Sequence, residues 1–213
     1  MEELRSKAVA KCYYLVIKGD KDMDLLEVKN ELAVKSKNGI AFLLAGSIIW
    51  MIITVIFLQP LGIREKNIFL FYSTGLTFPL AIIISKVIKA DWKNKDNPLS
   101  KLGLYLNLAQ LMYFPIIFWA FVTNPTNMVL FFAIITGAHF FPFGWLYNTK
   151  VYFFIAPIIS IINLVIGLTL AGEKLWLLPF TMVIFLLFLN ILLYIDYKKK
   201  VYVIANATKN LNL

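Results

Sequence analysis

His139 is the only histidine in the chain, and it stands in an apolar, aromatic run, Gly137-Ala138-His139-Phe140-Phe141-Pro142-Phe143-Gly144-Trp145. In such surroundings an imidazole stays neutral, donating through one ring nitrogen and accepting through the other. Gln110, Asn163, Thr77 and Ser160 also interrupt long apolar runs. These five side chains form an uncharged set of donors and acceptors suited to binding a small molecule, and they are the candidate ligand-binding residues. At about 1.5 Å per helical residue, His139 and Gln110 lie about 12 Å from one end of their helices, Ser160 about 13 Å, and Thr77 and Asn163 about 16 to 18 Å. Two readings of the set stand side by side: the lining of a polar cavity, or an interhelical hydrogen-bond network with no chemistry.

Other chemistries are less well supplied. A lone His without a neighbouring Cys, Asp or Glu cannot complete a metal's coordination shell, so no metal and no cofactor are expected. A Ser-His dyad from Ser73 or Ser85 with His139 lacks a Gly-x-Ser-Gly element, and no catalytic residue is assigned. No Gly-rich phosphate loop, dinucleotide fingerprint or haem-attachment motif is present. The apolar runs contain no Asp or Glu, which argues against intramembrane carboxylate proteases and against pumps driven through a buried acid.

The elements that must position these residues follow from composition. With 60% hydrophobic and 15% charged residues over 213 positions, the chain has too little polar surface for a soluble globule and too many aromatics for a disordered one. Cys12 is the sole cysteine, so no disulfide scaffold exists. Crossing about 30 Å of hydrocarbon takes about 20 apolar residues, and six runs qualify: 40–58, 68–88, 102–122, 128–147, 151–171 and 175–195. The expected fold class is an all-α membrane protein with six transmembrane helices. It is preceded by a short amphipathic N-terminal segment, residues 1–38; the transmembrane domain covers 39–197, and a basic tail covers 198–213.

Charge assigns the orientation. With the N-terminus cytoplasmic, 18 Lys and Arg fall on the inner side and 3 on the outer, the bias expected of cytoplasmic loops. Both termini are then cytoplasmic, and the net charge of +9 faces anionic inner-leaflet lipid rather than nucleic acid. Trp119 and Trp176 are expected at the outer interface; Tyr105, Trp145, Tyr147, Tyr152, Tyr194 and Tyr197 are expected at the inner one. In the N-terminal segment Leu25, Val28 and Leu32 recur at helical spacing, with Glu31 and Lys35 as an i,i+4 pair. Asp20, Asp22, Asp24 and Glu31 match positions of a calcium loop, but Leu25 stands where that loop needs Gly. A helix start capped by Asp24 and Glu27 accounts for them better.

Small and polar residues mark faces where membrane helices touch. Ser73, Thr77, Ala81 and Ser85 form one stripe. Gly103, Asn107 and Gln110 form another, and Ala156, Ser160, Asn163, Gly167 and Ala171 a third. The sixth run is nearly all Leu, Ile and Phe between Thr181 and Asn190, and is expected to face lipid. Pro79, Pro115, Pro142, Pro157 and Pro179 fall inside five of the runs, each removing a backbone donor and inviting a kink. Thr74-Gly75-Leu76-Thr77-Phe78-Pro79 is similar to Thr136-Gly137-Ala138-His139-Phe140-Phe141-Pro142, the trace of a weak internal repeat.

The segment from Phe71 to Leu80, Asn97-Pro98-Leu99, Trp119-Ala120-Phe121 and above all the run from Gly137 to Tyr147 resemble a family of small bacterial integral membrane proteins known only as a domain of unknown function. The likeness spans roughly residues 30 to 170. It implies a multi-pass protein of the bacterial cytoplasmic membrane and lends no catalytic residues. The expected role is a small-molecule transporter, channel or facilitator with a cytoplasm-facing cavity around His139. The alternative is a non-catalytic membrane subunit or sensor whose N-terminal segment docks a cytoplasmic partner, and a membrane enzyme ranks third.

Overall fold

The computed structural model describes residues 25–170 and 172–211, and over these it is all-helical. A short helix, α1 (Leu25–Lys35), precedes six long apolar spans. The first is α2 (Ile40–Leu58); the second is α3 (Ile63–Gly75) followed by α4 (Thr77–Val87). The third is α5 (Ser100–Ala109), a 3-10 turn at Gln110–Tyr113, and α6 (Phe114–Thr123). The fourth is α7 (Pro125–His139) and α8 (Phe141–Leu146), the fifth α9 (Lys150–Thr169) and the sixth α10 (Leu177–Leu211). All six are long and apolar enough to cross a membrane. Asp20, Asp22, Asp24 and Cys12 lie outside the described residues, and with them the calcium-loop and Asp24 cap readings.

Three of the spans are broken, each just before its proline. Proline has no N–H to give to the carbonyl four residues back, and its ring crowds that carbonyl. The helix accordingly resets at Leu76 before Pro79, through the 3-10 turn before Pro115, and at Phe140 before Pro142. Pro157 leaves α9 continuous, and Pro179 sits in the first turn of α10, where its missing donor has no helical partner to lose.

The first, fourth and sixth spans form the centre, with 56, 50 and 44% of their apolar stretches buried, against 22, 11 and 22% for the second, third and fifth. This corrects the expectation that the sixth span faces lipid. Leu178, Met182, Leu186, Leu189 and Leu193 are buried along one face of α10, which packs extensively on α2. The Asn within its apolar stretch explains the placement: Asn190 donates to Ser47 Oγ of α2 at 3.2 Å, a polar contact of the kind that joins helices in apolar surroundings. By contrast α5 has no buried residue, although its Gly-Asn-Gln stripe suggested an interior face. The fourth and fifth spans approach closely at Gly137, where a Cβ would meet Ile159 Cγ2 at 2.7 Å.

One end of the bundle is closed by a polar clasp. α1 turns into α2 through three successive left-handed residues, Lys37, Asn38 and Gly39 (φ 52°, 55° and 77°), and at Gly39 any side chain would strike the Tyr147 ring, 2.9 Å from its Cβ. Asn38 is fully buried. Its amide donates to Leu193 O and Asp196 Oδ2, its Oδ1 accepts from Lys200, and its backbone carbonyl accepts from Tyr152 Oη at 2.9 Å. Tyr147 and Tyr152 are therefore buried, not the interfacial belt residues that their positions suggested. α10 runs on through Lys198, Lys199 and Lys200 to Leu211, with Asp196 and Lys200 paired at 2.8 Å one turn apart.

Candidate functional site

A cavity of about 290 Å³ lies among the first four spans. It sits where the three broken spans reset, because each break offsets the helix and leaves room that a straight helix would fill. Gln110 opens the 3-10 turn of the third span and donates from Nε2 to Thr136 Oγ1 of α7 at 3.2 Å. His139, the last residue of α7, lines the same space one turn on. Its imidazole meets the edge of the Phe143 ring, with centroids 5.3 Å apart, and among the described residues no side chain hydrogen-bonds it. Thr74 and Thr77 flank the break in the second span, and Asn107 lies one turn before Gln110. The remaining wall is apolar and aromatic, with Trp50 and Phe132 in contact at 5.5 Å between centroids. Among the described residues no Asp, Glu, Lys or Arg borders the cavity.

Three of the five sequence candidates, His139, Gln110 and Thr77, thus come together on one wall system. Asn163 and Ser160 do not. Asn163 has no exposed surface and turns toward the sixth span, donating to Ile159 O and Met182 Sδ. Ser160 Oγ lies 3.1 Å from Ile134 O and 3.2 Å from Ala156 O, fastening α9 to α7. Matching depth therefore grouped residues that rotation about the helix axis separates. The hydroxyls of Ser73 and Ser85 are engaged by Phe69 O and Ile82 O of their own helices, which leaves neither directed at His139 by hydrogen bonding. Asn107 and Thr136 are cavity residues that the first grouping omitted. The signals were present: Asn107 shares a stripe with Gln110, and Thr136 occupies the place in the repeated Thr-Gly segment that Thr74 occupies in the second span. The two similar segments border the same cavity, Thr74, Gly75 and Thr77 from one and Thr136, His139 and Phe140 from the other.

Two smaller voids of about 20 Å³ each continue from the cavity toward the clasp. Each has room for about one water molecule. Phe42 and Asn107 border all three spaces, so this pair stands between the main cavity and the void beneath Leu32 and Ser36.

The clasp itself is built on Glu31. Its carboxylate accepts from Lys35 at 2.6 Å and from Asn97 at 2.8 Å, and Asn97 also donates to Val28 O. Burial alone would raise the carboxyl pKa; the hydrogen bonds from Lys35 and Asn97, the Lys35 charge and the contact from Asn94 outweigh it and hold the group below its ordinary value. Lys29 lies over the Trp145 ring, 3.4 Å from its centroid, and partial burial lowers its ammonium pKa.

A helical bundle with three proline-broken spans around an uncharged cavity is the architecture the chain presents. The chain belongs to a family of unknown function, DUF7010, whose model matches residues 25–196. The match takes in all of α1 and reaches Asp196 of the clasp, further at both ends than the likeness read from the sequence. No curated protein and no solved structure matches the chain.

Proposed function

We propose that this chain is a multi-pass protein of a bacterial cytoplasmic membrane that binds or passes a small uncharged molecule through the cavity between Gln110, Thr136 and His139. The observation that carries the reading is the wall itself: a space of about 290 Å³ bounded by neutral donors and acceptors on one side and by aromatic rings elsewhere. A charged occupant would lose its hydration there without a partner charge, at a cost of several kcal/mol. A neutral one needs only to replace the hydrogen bonds it gives up to water. The 18-to-3 distribution of Lys and Arg favours a cytoplasmic position for the clasp end, with α1, the 89–99 connector and the basic part of α10. The cavity continues toward that end through the two small voids. The extensive engagement of α1 with its own chain supports a cavity role over a docking role for residues 25–35.

The test is a screen of neutral amphipathic solutes, benzyl alcohol among them, for binding to purified protein and for flux in proteoliposomes. His139→Ala and Gln110→Ala each weaken binding about tenfold, the worth of one well-placed hydrogen bond, with melting temperature unchanged. Variants that lose stability while keeping binding would identify the polar set as structural and overturn the proposal.

A further inference from the structure

The cavity is not equally closed on all sides. Its back is sealed by Trp50, Phe132 and Leu186, all buried. Its front lies between α4 and α5, which do not pack closely on each other; α4 rests on α2, and no residue of α5 is buried. The lining residues at this front are outward-facing: Phe78 is 40% exposed, Leu108 46% and Leu111 47%. Gly75, at the same edge, has no atom within 4 Å of the position a Cβ would take.

The gap is bounded above and below by aromatic clusters. Toward the end away from the clasp, Phe71 of α3 meets Phe114, Phe118 and Phe121 of the third span at 5.1 to 6.2 Å between centroids. Toward the clasp, Phe42, Phe78 and Trp92 form a mutual triad at 5.7 to 6.0 Å. Between these clusters the two spans stand apart at mid-span, so a way into the cavity faces sideways, where hydrocarbon surrounds a membrane-spanning bundle.

We infer that the cavity is loaded from within the bilayer through this gap, and that its occupant is an uncharged single-chain amphiphile whose polar end rests on Gln110 and Thr136. The inference rests on the reading of the cavity as a binding site and adds the class of ligand and its route. A molecule dissolved in hydrocarbon crosses an apolar rim of Phe78, Leu108 and Leu111 at no desolvation cost. The neutral lining offers hydrogen bonds to a hydroxyl or carbonyl and no counter-charge to an ionised headgroup. A mostly apolar space of this size holds roughly ten methylene-sized groups at about 30 Å³ each.

The test uses protein in lipid nanodiscs with Trp50 as the sole tryptophan, the other four replaced by Phe. The probe is 11-bromoundecanol, which partitions into the bilayer and whose bromine quenches a tryptophan it touches. Saturable quenching of Trp50 is expected. Gly75→Phe, or Leu108→Phe should the first variant not fold, fills the mouth and lowers that quenching at least fivefold with melting temperature unchanged. Gln110→Ala raises the half-saturating concentration of the alcohol about tenfold and leaves that of 1-bromoundecane alone. Saturable quenching unaffected by both mouth variants overturns the lateral route. Quenching of Trp50 by water-soluble tribromoethanol that depends on Gln110, with none by bromoundecanol, also overturns it while leaving the cavity reading intact. If neither alcohol quenches saturably, the cavity reading falls as well.

Discussion

Gly75 and Gly137 each follow a threonine in the two similar segments, yet an added methyl group meets opposite surroundings. At Gly137 a Cβ would lie 2.7 Å from Ile159 Cγ2, 2.8 Å from Ser160 Oγ and 3.1 Å from the Ser160 backbone nitrogen. The side-chain atoms can rotate away, but the nitrogen moves only with α9, so Gly137→Ala must push α7 and α9 apart. Overpacking of this kind costs about 1–3 kcal/mol. The helical preference of Ala over Gly returns about 0.5–1 kcal/mol of that. At Gly75 nothing lies within 4 Å, so Gly75→Ala retains the gain without the clash. The two variants should therefore differ by about 1–3 kcal/mol, with Gly75→Ala at or above the parent and Gly137→Ala below it. At about 2–4 °C per kcal/mol for a chain of this size, thermal unfolding in one detergent resolves them. A Gly137→Ala protein as stable as Gly75→Ala would show that the fourth and fifth spans do not pack as described. A Gly75→Ala protein as damaged as Gly137→Ala would show that the edge of the cavity is filled.

Three further outcomes follow from the clasp and from the regrouped polar residues. The Glu31 carboxyl is held below its ordinary value of 4.5, so its contribution is fully present above pH 4.5 and is lost as pH falls through its lower folded value; amide exchange in residues 25–35 should rise in that window, and Glu31→Gln should abolish the pH dependence. Asn163→Leu should leave solute binding in the cavity unchanged, since its amide faces Met182 rather than the cavity, and a titration that finds binding lost would return Asn163 to the site. Asn38→Ala removes three side-chain hydrogen bonds from a fully buried position and should lower stability by about 2–4 kcal/mol, read as a drop in melting temperature; Asn38→Gly, which accepts the left-handed backbone, should recover about 1 kcal/mol of that and no more, because the bonds are still missing.

The elements of this protein were legible because each depends on local chemistry. Long apolar runs separated by Gln59-Pro60, by the basic stretch ending in Asn97-Pro98 and by Asn124-Pro125 form helices of the length a bilayer demands, and Pro79, Pro115 and Pro142 break them at places set by the missing N–H. Depth along the helices grouped His139, Gln110 and Thr77, and all three border one cavity. What depth could not supply was rotation. The sequence places Asn163 in the lining and Asn107 only in a helix-contact stripe, whereas the structure turns Asn163 toward the sixth span and Asn107 toward the cavity.

The arrangement of the spans needed the tertiary structure. In a soluble helix the apolar face points inward, but a span that is apolar all round carries no such marker. The third span, with its Gly103, Asn107 and Gln110 stripe, stands at the edge, whereas the Leu-rich sixth lies at the centre, held by Asn190 against Ser47. Tyr147 and Tyr152 went the same way, drawn inward by packing beneath the left-handed turn at Asn38 and Gly39. Composition and local spacing thus determined that six apolar helices form and marked five prolines at which they could break, of which three do. Only packing decided which faces meet, because hydrophobicity, identical toward lipid and toward neighbouring helices, cannot distinguish the two.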